Sequence, residues 1–168
     1  MPDGYPQPVF LDATVISNFA SANSVDFLVH LLEAPFVVPA VRDEIERGVD
    51  FGHEYLSEAV EAFDDTLPVG DVPPEAEGVK LRDRLNPGET ETLRGAVERD
   101  GTIATDDLAA RRLAAELNVS VTGSIGLLVL GIERERIDSE TADEWVDVWQ
   151  NERGYYAPVE SVTELLDE

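Results

Sequence analysis

Acidic side chains recur in this sequence at one kind of place, directly after a short apolar run and directly before a helix-like stretch. Asp12 closes Val9-Phe10-Leu11, and Asp106-Asp107 closes Thr102-Ile103-Ala104-Thr105. Glu44 lies one helical segment after Phe36-Val37-Val38, and Glu89 opens the segment that leads to the Thr102 run. Carboxylates are hard oxygen donors suited to Mg2+ or Mn2+. A cation held this way keeps several waters, one of which can become a nucleophile, and neutralises charge on a scissile phosphate. Grouped acids repel one another unless they are protonated or share a cation. Each acid also has an ordinary structural reading. Asp12, Asp106 and Asp107 suit helix N-caps, Glu89 suits the positive end of a helix dipole, and Glu44 has Arg42 and Arg47 nearby as a solvated acid. Other chemistries are excluded: there is no cysteine, and His30 and His53 are the only histidines, so thiolate and histidine-rich metal sites are ruled out.

The elements that must position these acids follow from periodicity. Val9–Asp12 reads as a first strand after a Pro-rich lead. Residues 13–33 carry helical spacing, interrupted at Asn23-Ser24 and ended by Pro35, and Phe36–Val38 reads as a second strand. Pro39 opens a helix through Arg47 that Gly48 stops. Residues 53–63, 75–85 and 88–100 read as helices, with a loop and a short strand near Val69 between the first two. Thr102–Thr105 and Asn118–Val121 read as strands. Helices follow from Asp106-Asp107 to Leu117, from Thr122-Gly123 to Leu130, from Asp138-Ser139 onward, and over Val159–Leu166. Alternation of strands and helices predicts an α/β fold: a central parallel sheet of about four to five strands covered on both faces by helices. In such sheets functional groups gather beyond the carboxyl ends of the strands, where four segments would bring the acids to one mouth. The 168 residues fit one domain, with a core over 9–132 and C-terminal helices over 138–168.

Composition limits the setting. Apolar residues make up 43% of the chain, which is globular. No apolar run is long enough to span a membrane, and the N-terminus lacks a secretory pattern, so a cytoplasmic location is expected. The formal charge of -24 comes from 36 acidic against 12 basic residues, a balance resembling proteins of salt-accumulating halophilic microbes. Self-repulsion of that size destabilises a compact state in low salt, whereas at ~1 M salt the Debye length is about 3 Å and the repulsion is largely screened.

The stretches Val9-Phe-Leu-Asp-Ala-Thr-Val-Ile16, Val38-Pro-Ala-Val-Arg-Asp-Glu-Ile45, Pro87-Gly-Glu-Thr-Glu-Thr-Leu93, Ala104-Thr-Asp-Asp-Leu-Ala-Ala-Arg-Arg112 and Val121-Thr-Gly-Ser-Ile-Gly-Leu-Leu128 together resemble the PIN-domain family, in particular its toxin-like, VapC-type branch. The resemblance covers about residues 9–132, and the motifs lie in the family's order. It implies a PIN-like three-layer fold and a metal-dependent ribonuclease, as the toxin of a toxin–antitoxin pair. It implies Asp12, Glu44, Glu89 and Asp107 as ligands of Mg2+ or Mn2+, with Asp106 beside them in the catalytic set. It also implies a homodimer and a small antitoxin protein as partners. The chain departs from the family pattern at Ala13, where a hydroxyl residue is usual, and at Glu89, where Asp is usual. A PIN-like module that has lost cleavage and binds RNA or protein is the alternative. A receiver-type phospho-acceptor reading fits poorly, because Asp12 is single at its strand end.

RNA binding needs cations against phosphate. Lys80, Arg82, Arg84, Arg94, Arg99, Arg111 and Arg112 concentrate between residues 80 and 112. Arg111 and Arg112 are close enough to Asp107 to reach a phosphate there, unless they pair with surface acids. Thr14, Asn18 and Thr105 complete the expected substrate contacts. Ser17 and Asn18 otherwise read as helix-surface polar residues, Trp145 and Trp149 as a core or partner-facing stripe, and His30 as a core or interface histidine.

Overall fold

A computed structural model of the chain describes residues 4–71, 86–157 and 160–166. The expected helix over 75–85, with Lys80, Arg82 and Arg84, lies outside the described residues. Four strands, β1 (Val9–Leu11), β2 (Pro35–Phe36), β3 (Thr102–Ala104) and β4 (Ser120–Thr122), form one parallel sheet in the order β2-β1-β3-β4. Among the described residues eight α-helices flank it, giving the expected three-layer α/β arrangement: α1 (Ala13–Ser21), α2 (Val25–Leu31), α3 (Pro39–Asp50), α4 (Ser57–Phe63), α5 (Pro87–Arg99), α6 (Leu108–Glu116), α7 (Ser124–Glu133) and α8 (Ser139–Arg153). Beyond the four strands, Val37 pairs in parallel with Val69 as an isolated bridge, at the place where a short strand was expected.

Register decides where the acids emerge. Leu11 lies opposite Ala104, and Ala104 opposite Thr122, so three strands end level. One further rung continues on each side, with Asp12 N donating to Ala104 O (2.9 Å) and Thr105 N to Thr122 O (2.9 Å). The residues that follow these strands therefore leave the sheet along a single edge. Val9, Phe10, Leu11, Ile103 and Ala104 are almost wholly buried, as strands covered on both faces must be.

Several elements differ from the sequence reading. Gly48 does not stop α3, which continues to Asp50. Its missing Cβ instead makes room for the Leu56 side chain, which a methyl group there would strike, and the chain turns at Gly52 (φ 101°). The helix expected over 53–63 begins as a 3₁₀ turn at Glu54–Leu56 before α4. Among the described residues the last helix is a 3₁₀ turn at Val162–Leu165. His30 is exposed in the last turn of α2, its Nδ1 2.8 Å from Asp26 O, while Leu28 and Leu31 face the core.

Helix α8 is anchored by aromatic rings. Trp149 is 0% exposed and meets Phe19 edge-on at 5.2 Å and Tyr155 at 5.3 Å between centroids. Trp145 packs on Phe27 at 5.2 Å. The two tryptophans thus belong to the core side of α8. Removing a fully buried indole leaves a large cavity, so Trp149→Ala is expected to destabilise the chain by about 3–5 kcal/mol in denaturant unfolding. Phe51→Ser, at a residue 83% exposed, is expected to stay within about 0.5 kcal/mol of the parent.

Candidate active site

Asp12 is the residue on which the mouth is built. It caps α1, Oδ1 accepting from Ala13 N (2.8 Å), and it is only 2% exposed. Its Oδ2 accepts from the hydroxyl of Thr105 (2.6 Å) and lies 3.3 Å from that of Thr14. Burial pushes this carboxyl up to about 7. The Thr105 and Ala13 hydrogen bonds act against that, and the charges of Glu89 and Glu44 add to it. The two side chains whose charges act on Asp12 thus share its sign.

Glu44 and Glu89 arrive from the helices α3 and α5. At Gly88 the bare backbone of α5 comes so close that an added Cβ would lie 2.9 Å from Glu44 Oε1. Glu89 forms a capping box with Asn86: Glu89 N donates to Asn86 Oδ1 (2.8 Å), and Asn86 N donates to Glu89 Oε1 (3.2 Å). Burial raises the Glu89 carboxyl; the Asn86 bond opposes this, and repulsion from Asp107 and Glu44 reinforces it. Glu44 is likewise raised by burial and lowered by Arg47. Asp107 caps α6, Oδ2 accepting from Ala110 N (2.9 Å), while its own N–H donates to Thr105 Oγ1 (3.1 Å). Asp12, Glu44, Glu89 and Asp107, spread over 95 positions of sequence, are linked through their mutual repulsion into one acidic mouth.

Asp106 has a different setting from its neighbour. Its Oδ1 accepts from Ser124 N (2.9 Å), and its Oδ2 from Ser124 Oγ (2.5 Å) and Asn18 Nδ2 (3.1 Å). Its carboxylate ties the β3–α6 loop to the start of α7 and to α1. Its backbone N–H donates to Thr14 Oγ1 (3.0 Å). Thr14 and Thr105, expected at the substrate, hydrogen-bond Asp12 and the loop backbone. Ser17 and Asn18 are buried rather than on the helix surface, because α1 is covered by α7 and α8 as well as by α3 and α4. Arg111 Nη1 donates to Thr105 O (2.8 Å), bracing the loop from α6, and Arg112 beside it is exposed. Past Asp106 opens a pocket of about 620 Å3, whose wall includes Arg111, Tyr155 and the exposed side chains of Leu108 and Tyr156.

The donor set fits a hard divalent cation. All four side chains are carboxylates, burial raises Asp12, Glu44 and Glu89, and repulsion from neighbouring acids adds to this at Asp12 and Glu89, a strain that a bound cation would relieve. Among the described residues no three acid or histidine side chains already stand close enough to wrap an ion. The bonds to Asn86 and Ala110 hold Glu89 Oε1 and Asp107 Oδ2 to their own helix ends. Ser124, Tyr55 and Arg153, which complete the network around Asp106 and Asn18, escaped the sequence reading. For Ser124 the signal was available, a serine directly after Gly123 at a helix start. Arg153 stands 135 positions from Asn18 and carries no local pattern.

A family model described as a PIN domain matches residues 8–168. No curated protein matches the chain.

The raised Asp12 carboxyl has a definite sign for stability. Folded Asp12 holds its proton up to about pH 7, whereas in the unfolded chain the ordinary value is 3.8. Between those values the folded state binds more protons, so its stability falls as pH rises. The metal-free protein is expected to lose stability from about pH 4 to pH 7 through this group and to level off above. In Asp12→Asn that part of the slope disappears. Urea unfolding of both proteins across the range is the check, and equal slopes would refute the placement of the proton on Asp12.

Proposed function

The chain belongs to the PIN-domain family, and from that premise we propose that it is a metal-dependent ribonuclease whose cation is held by Asp12, Glu44, Glu89 and Asp107. PIN domains are generally nucleases that use divalent metals. The observation that carries the reading is Asp12: a carboxylate buried at a strand end, hydrogen-bonded by Thr105 and surrounded by charges of its own sign. A bound Mg2+ or Mn2+ supplies Lewis acidity and neutralises charge at the phosphate. The protein's own part is to offer four carboxylates to the cation, to release the Asp12 proton near neutral pH, and to brace the Thr105–Asp107 loop from both sides. Arg111 and Arg112 on α6 offer positive charge for the RNA backbone in a chain that is otherwise strongly acidic.

As the sequence resemblance implies, the partners proposed are RNA, a second copy of the chain, and an antitoxin protein that seats in the acidic mouth. The acidic excess fits work in a salt-rich cytoplasm. Among the described residues no helix is long and apolar enough to cross a membrane. The second reading, a PIN module without cleavage, is favoured by one observation, that the acids are not already gathered into a cage.

The structural duties of these acids make the test clean. Asn caps helices as well as Asp does, and Gln can replace Glu in a capping box. Asp12→Asn, Asp107→Asn and Glu89→Gln therefore keep the caps and remove the charge. In ~1 M KCl, where charge repulsion is screened, the parent is expected to cleave RNA only with Mg2+ or Mn2+. Asp12→Asn and Asp107→Asn are expected to lower that rate by at least about 100-fold, the upper end of what losing a partner that only orients a metal ligand costs, with melting temperatures no lower than the parent's. Cleavage that persists in both variants would refute the assignment, and metal-independent cleavage would refute the cofactor. The same melts, compared between ~0.1 M and ~1 M KCl, are expected to shift upward with salt as screening increases.

A further inference from the structure

Arg153 ends α8, far in sequence from the acidic mouth, and the proposed chemistry makes no use of it. Yet its Nε donates to Asn18 Oδ1 at 2.7 Å, and its Nη1 donates to the Tyr55 hydroxyl at 2.6 Å, with the guanidinium 5.8 Å from the Tyr55 ring centre. Asn18 is 3% exposed. Its other end, Nδ2, donates both to Asp106 Oδ2 (3.1 Å) and to Ser124 Oγ (3.1 Å).

A buried amide can be placed either way round, and its neighbours decide which. Ser124 Oγ can donate or accept and so does not choose. The Asp106 carboxylate can only accept, and a guanidinium can only donate. Arg153 on one side and Asp106 on the other therefore admit a single orientation of Asn18. Turned over, the amide would set its oxygen against the Asp106 carboxylate and its NH2 against a cation, two buried mismatches. The consequence travels to the mouth through short steps. Asp106 is the residue before Asp107, and its N–H donates to Thr14, whose hydroxyl lies 3.3 Å from Asp12 Oδ2.

We propose that Arg153 is a positioning residue for the acidic mouth, acting through Asn18: it fixes the orientation of that amide, which holds Asp106 and so the Thr105–Asp107 loop in place opposite Asp12. This role rests on the ribonuclease reading for its effect on catalysis, but the orientation of Asn18 does not.

The test is a double-mutant cycle of Arg153→Met and Asn18→Ala with three readouts: Mn2+ affinity by electron paramagnetic resonance, kcat and KM for RNA cleavage, and the side-chain amide resonances of Asn18 by NMR. Arg153→Met alone is expected to weaken Mn2+ binding or kcat by about 10- to 100-fold, the range for partners that orient metal ligands, with KM little changed and with part of the loss recovered in Arg153→Lys. In the Asn18→Ala background the same substitution is expected to change neither by more than about twofold, since residues acting through one contact are non-additive. A merely structural Arg153 would give losses that multiply in the double variant, and that result overturns the proposal, as does an Arg153→Met protein that matches the parent. If Arg153→Met fails to fold, Tyr55→Phe removes the other hydrogen bond on the guanidinium and is expected to give a smaller loss in the same direction; no loss overturns the proposal. If the parent neither binds Mn2+ nor cleaves RNA, the ribonuclease reading falls. The Asn18 resonances still decide the orientation: slow exchange in the parent and broadening in Arg153→Met support it, and unchanged resonances overturn it.

Discussion

A carboxylate at the end of a buried strand, Asp12, is the constraint around which the rest is arranged. It lies at the end of β1 with 2% of its surface exposed, where ionisation is opposed by burial and by Glu44 and Glu89. The fold offers it hydrogen bonds from Ala13 and Thr105, and among the described residues the charges it brings to bear are further acids, Glu89 and Glu44. A charge that is buried and unpaired ordinarily neutralises itself by holding a proton, which is what the shift to about 7 describes. The alternative way to relieve the same repulsion is a cation shared among the acids.

The other acids show how one carboxylate serves two purposes. Asp107 caps α6 and Glu89 closes the capping box of α5. Helix N-termini carry partial positive charge, so these positions hold acids near one another at lower cost than open loops would. The level ends of β1, β3 and β4 then bring the helices that start there to a common edge. Asp106 shows the division of labour between adjacent residues: its oxygens are bound by Ser124 and Asn18, and of the two it is Asp107 that, with Glu44, acts on Glu89. The capping reading and the ligand reading of these residues are compatible, because a cap engages one oxygen in a bond along its own helix.

Much of this was legible in sequence. The runs before Asp12 and Asp106 are short, apolar and followed by helical spacing, so both strand ends and the parallel sheet could be read from local pattern. Asn86-Pro87-Gly88-Glu89 carries its helix start in plain view. What could not be read depended on distant packing. Gly48 looks like a stop, but whether a glycine ends a helix or admits a neighbour is decided by Leu56. Asn18 looks like a surface residue until α7 and α8 cover α1, and Arg153 has no signal at all without the contact across 135 positions. His30 sits among apolar residues in sequence, yet the helical turn of α2 carries it outward. Local periodicity reports which face of a helix is apolar; it does not report which polar groups the second layer of helices will seal in.

The most direct measurement is the anomalous scattering of Mn2+ in crystals of the intact chain grown at high salt. An ion is expected at the carboxyl edge of the sheet, with an Asp12 oxygen in its coordination sphere together with oxygens from at least two of Glu44, Glu89 and Asp107. An ion bound elsewhere with Asp12 still enclosed by Thr105 and Ala13 alone, or a mouth that stays free of Mn2+ above pH 7, would contradict that expectation.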